Sequence, residues 1–350
     1  MKTAQMMIAD RPIGPDSPPF LIAELSANHN GSLDRALDIM TAASEAGADA
    51  VKLQTYTADS LTIDHDGPGF TVEGGLWDSY TLHALYEEAH TPWDWHEALF
   101  ARGRELGLIV FSSPFDASAV DFLEDLGAPA HKIASFELID LPLIRKVAAT
   151  GKPMIMSTGM ASLADIDAAV TEARESGAGD IALLHCTSGY PTPADEADLR
   201  TIPHLADAFG LVTGLSDHTP GVGAPVAAVA LGAAIIEKHF TLDRADGGPD
   251  AAFSLEPAEF RMLCDSVRLG WEALGGVRYE RTAAEAGSVQ FRRSLYIVAD
   301  MAAGDVLTAE NLRSIRPGFG LPPKYIDVLL GKRVNCAIAR GTPMTWDLIA

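Results

Sequence analysis

Residues 235–242 read "IIEKHFTL". Two isoleucines suited to a buried strand run straight into Glu237, Lys238 and His239, and the chain then turns apolar again. A buried charge costs roughly several kcal/mol unless it is paired or bound to a metal. The stretch therefore describes a core strand that ends where chemistry begins.

Outward from it lie seven more short apolar runs bounded by turns: "FLIAEL" (20–25), "ADAVKLQ" (48–54), "LIVFSS" (108–113), "HKIAS" (131–135), "PMIMST" (153–158), "IALLHC" (181–186) and "LVTGLS" (211–216). With "AIIEKHF" (234–240) they make eight predicted strands. Segments of helical period separate most of them, among them "SLDRALDIMTAASEAGA", "SAVDFLEDLG" and "SLADIDAAVTEARESGA". Several open on Ser or Thr in cap position and close on Gly. Continuously apolar strands alternating with helices indicate a parallel sheet covered by helices. No glycine-rich dinucleotide fingerprint follows the first strand, so the expectation is an α/β fold of the closed (β/α)8 TIM-barrel kind, not an open doubly wound sheet.

The barrel is expected over residues 1–276, a polar linker over 277–290, and a compact mixed-β module over 291–350, where strand-like pieces are punctuated by "AG", "PG", "GK" and "RGTP". Residues 55–90 form a connection unusually long for a compact domain, a feature that usually signals function.

An apolar content of 47% with 21% charged residues describes a folded, soluble chain. The net charge of −22 argues against a nucleic-acid surface, which needs a basic footprint. An anionic substrate would need local Lys or Arg set against that acidic field. No charge-free run reaches the roughly 18 apolar residues of a membrane span, and residues 1–20 lack a continuous apolar stretch of the signal-peptide kind. Three widely spaced cysteines suggest neither a disulfide framework nor a zinc site. The expected address is cytoplasmic, with neither membrane nor nucleic acid as partner.

In such a barrel chemistry sits at the C-terminal ends of the strands. Those ends carry Glu24; Lys52 and Gln54; Ser112 and Ser113; Lys132 and Ser135; Ser157 and Thr158; Thr187 and Ser188; Ser216 and His218; Glu237 and His239. Lys52, Lys132, Ser113, Ser135, Ser157 and Ser216 would ring a pocket with two ammonium groups and small donors, a set suited to phosphate or a phospho-carboxylate. Helix capping explains any single Ser equally well, although a ring of caps still aims N–H groups at one anion. His218 and His239 end neighbouring strands and could share one ion, and two imidazoles with water or a carboxylate suit Mn, Co or Zn. Glu237, two residues before His239, falls on the same side of its strand, and Lys238 on the other. Asp246 and Asp250, in the loop "RADGGPDAAFSLEP" (244–257), could hydrogen-bond a polyol or simply be solvated.

The motifs "IAELSANHNGS", "GADAVKLQTY", "FSSPFD", "HKIAS", "MSTGM", "HCTSGYPTP", "GLSDHT" and "EKHFTLDRADGGPDAAFSLEP" resemble, in order, those of the sialic acid synthases, which condense phosphoenolpyruvate with an N-acylated amino sugar. The tail "FRRSLYIVADMAAGDVLTAENLRSIRPGFGL" is similar to their antifreeze-like SAF domain. The wording "SANHNGSLDRAL", "KLQTYTADSLT", "TPWDWH" and "RSIRPGFGLPPKY" is nearest the pseudaminic acid branch. The resemblance implies a divalent ion on His218 and His239, Mn2+ foremost with Co2+ or Mg2+ as substitutes. It implies phosphoenolpyruvate on Lys52, Ser113, Lys132, Ser135, Ser157 and Ser216, and the sugar on Gln54, Glu137, Tyr190 and Asp250. It also implies a domain-swapped homodimer in which Arg316 reaches the other subunit's site. Glu24 matches an acidic residue expected to act as general base, with Glu237 orienting beside the metal. Ser188 stands where neuraminic acid synthases carry Asn in "CTN.YP", which alters a carboxylate contact and favours a different sugar. The reaction implied is formation of pseudaminic acid from 2,4-diacetamido-2,4,6-trideoxy-L-altrose. The rivals are the same chemistry on N-acetylmannosamine or the legionaminic precursor, and a sugar-binding protein without catalysis.

Overall fold

The computed structural model describes residues 4–350, and the chain divides into two compact units, one ending at Gly275 and the other beginning at Gly276. The first unit opens with a hairpin, β1 (Met6–Ile8) against β2 (Arg11–Ile13). Eight parallel strands follow: β3 (Phe20–Glu24), β4 (Ala50–Thr55), β5 (Ile109–Pro114), β6 (His131–Ile133), β7 (Met154–Ser157), β8 (Ile181–Cys186), β9 (Val212–Asp217) and β10 (Ile235–His239). They close into a barrel in sequence order, with β10 returning to pair with β3. All eight predicted strands are present, each shifted by at most a residue or two.

Besides two short helices between β4 and β5, Ala58–Leu61 and Leu82–Ala89, eight helices cover the barrel, one per strand, from Leu33–Ala46 after β3 to Pro257–Leu274 after β10. Their ends show the expected chemistry. Ser32 accepts a hydrogen bond from Arg35 N at the start of the first, and Gly47, with φ 99°, closes it in the left-handed conformation that glycine takes without strain.

Strand alternation sorts side chains into two layers. Leu21, Ala23, Val51, Leu53 and Ile236 pack outward against the helices. Ile22, Ala50, Phe111, Ile155, Leu184 and Ile235 fill the barrel, and the hairpin residues Met6, Ile8 and Ile13 join that inner cluster. Ile235 and Ile236 are thus both core, in different layers. At Gly214 on β9 a Cβ would meet Ile235 O at 2.4 Å and Leu184 Cδ2 at 2.7 Å, so the interior there has room only for hydrogen.

In the second unit β11 (Ser294–Ile297) pairs antiparallel with β12 (Leu312–Ile315). Isolated bridges such as Met301↔Ile338 and Val334↔Ile349 extend the β character. A small core holds Leu295, Ile297, Met301, Leu307, Leu312, Leu329, Val334, Ile338 and Met344. Of the expected linker 277–290, residues 283–290 lie in a 3-10 run, Ala283–Phe291. Among the described residues no helix is long and apolar enough to cross a membrane.

Candidate active site in the barrel mouth

Because alternate residues face inward, each strand presents its last inward side chain at one end of the barrel. Lys52 and Gln54 on β4, Lys132 on β6, Ser157 on β7, Ser216 on β9, and Glu237 and His239 on β10 line one cavity of about 430 Å3. Ser26, Ser135, Glu137, Cys186, Tyr190, His218 and Asp250 complete its polar lining from the strand ends and following loops.

The floor is an ionic cluster. Lys52 Nζ lies 3.1 Å from both Glu24 Oε2 and Glu237 Oε1. Lys132 Nζ is 3.6 Å from Glu237 Oε1, and Ser216 Oγ donates to the same oxygen at 3.0 Å. Burial alone would raise the Glu237 carboxyl, but Lys132 and Lys52 outweigh it and hold the group well below its ordinary value. Burial does raise Glu24, and Glu237 adds to the effect against the pull of Lys52. Burial lowers the Lys132 ammonium despite Glu237, whereas Glu237 and Glu24 together overcome burial and raise Lys52. One firmly ionised carboxylate therefore faces two lysines. A chain of net charge −22 keeps a cationic seat at the bottom of this cavity, which is the electrostatic requirement for an anionic substrate.

Higher up, Gln54 Nε2 donates to Glu24 Oε1 (2.9 Å) and Ser26 Oγ (3.1 Å). Ser26 Oγ in turn donates to Asp250 Oδ2, which ties the loop after β10 to the end of β3. Burial lifts the Glu137 carboxyl to about 7. Ser135 Oγ accepts from Gly159 N at 3.1 Å, and a Cβ on Gly159 would meet Ser188 Oγ at 2.2 Å, so Ser188 and Ser135 flank one tight backbone passage.

The imidazoles of His218 and His239 lie 5.4 Å apart between ring centroids. His218 Nδ1 is bonded to Thr187 O at 3.0 Å. His239 Nδ1 and Glu237 Oε2 are buried and find no hydrogen-bond partner among the described residues, and the same holds for Ser113 Oγ and Ser157 Oγ. Burial, then His218, holds His239 well below its ordinary value, in the neutral form that ligates metals. Among the described residues no group of three or more His, Cys, Asp or Glu forms a ready cage. The pair with its unpartnered Nδ1 fits an ion whose other ligands come from water or substrate.

The expected site residues do not all reach the cavity. Glu24 stands behind Lys52 and Gln54, 1% exposed, and Ser113 is equally buried; neither is on the cavity wall. Ser112 faces the other way, where its Oγ meets Thr55 Oγ1 at 2.6 Å. Arg316 is exposed in the second unit, just past β12. Lys238 points outward and pairs with Asp217, both 1% exposed, while its Nζ also donates to Thr219 O.

Ser26, Cys186 and, apart from Tyr190, the aromatic side chains of the lining carry no sequence signal that marks them as site residues. Cys186 Sγ lies 3.8 Å from His218 Nδ1. Tyr190 lies tilted against His218 (4.3 Å between centroids), and Phe253 meets His239 edge-on (4.9 Å). Only the length of the 55–90 connection hinted at a wall from that segment.

The NeuB family pattern matches residues 39–279, more than half of the chain. The chain belongs to the NeuB family. A SAF domain pattern matches residues 292–350. This NeuB-family chain is 44% identical over 326 residues to the pseudaminic acid synthase of Campylobacter jejuni, a match spanning 93% of this chain and 95% of that protein. It is 40% identical over 334 residues to the pseudaminic acid synthase of Helicobacter pylori, spanning 94% and 97%. Among solved structures it is similar to the N-acetylneuraminic acid synthetase of Leptospira borgpetersenii in complex with citrate. That match has a TM-score of 0.74 at 30% identity, over 83% of this chain and 96% of that one.

Proposed function

We propose that this NeuB-family chain is a pseudaminic acid synthase, which condenses phosphoenolpyruvate with 2,4-diacetamido-2,4,6-trideoxy-L-altrose and water to give pseudaminic acid and phosphate. Its nearly full-length likeness to two pseudaminic acid synthases supports the choice of sugar. The observation that carries the chemistry is the cationic floor, Lys52 and Lys132 against the single firm carboxylate of Glu237.

On this reading Lys52 and Lys132, with hydroxyls from Ser135, Ser157 and Ser216, hold the phosphate and carboxylate of phosphoenolpyruvate, while Ser113 stays off the cavity wall. Gln54, Glu137, Tyr190 and Asp250 hold the open-chain sugar with its aldehyde toward His218 and His239. Mn2+, or Co2+ or Mg2+ in its place, supplies a Lewis acid for the aldehyde oxygen when held by these two imidazoles. The methylene carbon of phosphoenolpyruvate forms the new bond to the aldehyde carbon as the C=O π pair moves to oxygen, which takes up a proton to become a hydroxyl, a proton balanced by the one that water releases in the next step. Positive character then appears at the enol carbon and water adds there. Burial has made the Glu24 carboxyl more basic than usual, as suits a base for this water, but it stands behind Lys52 and Gln54 off the cavity wall, so that role requires those two side chains to shift when substrate binds. The tetrahedral carbon then expels phosphate by C–O cleavage. Glu237 keeps both lysines charged and in place, Ser188 takes the position of the asparagine of the neuraminic acid synthases, and Arg316 is supplied by the second subunit of a swapped homodimer. A cytoplasmic address accords with phosphoenolpyruvate as an intracellular metabolite.

The test is phosphate release with pure sugars, followed by mass spectrometry of the product. The expected result is turnover of the 2,4-diacetamido-trideoxy sugar well above N-acetylmannosamine and the legionaminic precursor. Fastest turnover of N-acetylmannosamine would overturn the substrate assignment.

A further inference from the structure

Segment 55–90 is a folded excursion. It has a short helix, Ala58–Leu61, and a second helix, Leu82–Ala89, capped by Thr81. A bridge between Thr71 and Thr81 draws its middle together. Leu61, Val72, Leu82, Leu85 and Ala89 all line the cavity of the barrel mouth. The only side-chain polar atoms the segment brings to that lining belong to Tyr56, Tyr86 and Trp77, and the Trp77 indole N–H is already donated to Pro249 O at 2.8 Å. Phe115, edge-on to Tyr56 at 5.1 Å, continues the apolar surface.

The position of this wall fixes what it can touch. Trp77 lies 5.7 Å from Tyr190, and Tyr190 lies 4.3 Å from His218, between ring centroids. Within the wall, Trp77 thus stands one aromatic ring beyond the imidazoles toward which the aldehyde carbon points on the synthase reading. A six-carbon sugar that reacts at its first carbon reaches such a wall with its far end. Apolar side chains there favour a methyl group and leave a hydroxyl without a partner.

We propose that the wall built by Leu61, Val72 and Leu85 is the specificity element for the deoxygenated terminal carbon of the sugar. This inference rests on the synthase reading and names the surface that selects within it. The sugar's terminal methyl packs on these side chains. A hydroxymethyl at the same carbon loses its hydration against these three side chains, which offer it no hydrogen-bond partner.

The experiment compares 2,4-diacetamido-2,4,6-trideoxy-L-altrose with its 6-hydroxy counterpart, by phosphate release under saturating phosphoenolpyruvate. Val72 and Leu61 are both half-buried, so Val72→Thr and Leu61→Asn add polarity without opening the core. The wild type should favour the deoxy sugar in kcat/KM by about tenfold to a hundredfold, the range that an apolar pocket gives against an added hydroxyl. Each polar variant should shrink that ratio by at least about threefold through the sugar KM, with the KM for phosphoenolpyruvate unchanged. Val72→Ile, which keeps the wall apolar, should retain the ratio. An unchanged ratio in both polar variants, or a wild type that does not distinguish the two sugars, would overturn the inference and leave the synthase reading standing. A wild type that turns over neither sugar would overturn that reading and this inference together.

Discussion

Lys238 offers a sharp test of how the barrel sorts its charges. The alternation along β10 sends Glu237 and His239 inward and Lys238 outward, against Asp217 at the end of β9. Both side chains of the pair are 1% exposed. Lys238 Nζ donates to Asp217 Oδ2 and to Thr219 O, while Asp217 Oδ1 accepts from Thr219 N at 3.0 Å. Burial pushes the Lys238 ammonium down, against the pull of Asp217. Replacing Lys238 by Met leaves a buried carboxylate with one backbone donor, a loss that typically costs about 3–5 kcal/mol. At roughly 2–4 °C per kcal/mol for a unit of this size, the melting temperature should fall by about 10 °C. Adding Asp217→Asn removes the stranded charge yet keeps the bond from Thr219 N, and should restore at least half of that loss. Turnover per folded molecule should stay within about threefold of wild type, because the side chain never enters the cavity. Urea unfolding with a double-mutant cycle gives the stability terms, and phosphate release gives the turnover. A destabilisation under about 1 kcal/mol, or a Lys238→Met protein that is stable but inactive, would refute the two-layer assignment.

Other expectations follow from the same geometry. His239→Ala should abolish turnover and leave the barrel folded by circular dichroism, and full chelation should do the same to the wild type; activity that survives both would remove the two histidines from the mechanism. Lys52→Met leaves Glu24 and Glu237 without their shared cation and should raise the KM for phosphoenolpyruvate by about a hundredfold or more, the scale of a lost hydrogen-bonded charge contact, with a smaller change for the sugar. Glu137 holds its proton in the folded state up to about pH 7, whereas the unfolded chain releases it near the ordinary value of 4.5. The unfolded state gains from deprotonation first, so this group lowers stability as pH rises between those values. Glu137→Gln should flatten that decline in urea titrations from pH 5 to 8, and an unchanged slope would show that Glu137 does not cause it.

The barrel was legible because parallel strands buried on both faces write themselves as unbroken apolar runs, which a polar-alternating sheet never does. The polar ends of those runs then named the lysines of the floor and the two histidines of the cavity wall. Depth within the barrel was not legible. Glu24 and Lys52 are opposite each other in register, yet the lysine reaches the cavity and the glutamate lies behind it. The β1–β2 hairpin escaped notice because "MMI" and "RPI" are three residues each and Pro12 discourages a strand reading. Asp217 was hidden for a different reason. It falls between the rim residues Ser216 and His218, and its partner, 21 positions away, shows that it faces outward.

Closure of the barrel also sets the order of events during synthesis. β3 is among the first strands to leave the ribosome, yet its second edge is satisfied only by β10, where Ile22 meets Glu237 about 215 positions later. At roughly 5–20 residues per second that wait lasts on the order of 10–40 s. Throughout it Phe20, Leu21 and Ile22, all fully buried in the finished protein, stand beside an unpaired strand edge, the arrangement that invites association with other chains. Nascent chains cut short before residue 235 should therefore be a burden for chaperones, while those that extend past His239 can seal the cylinder in a single step.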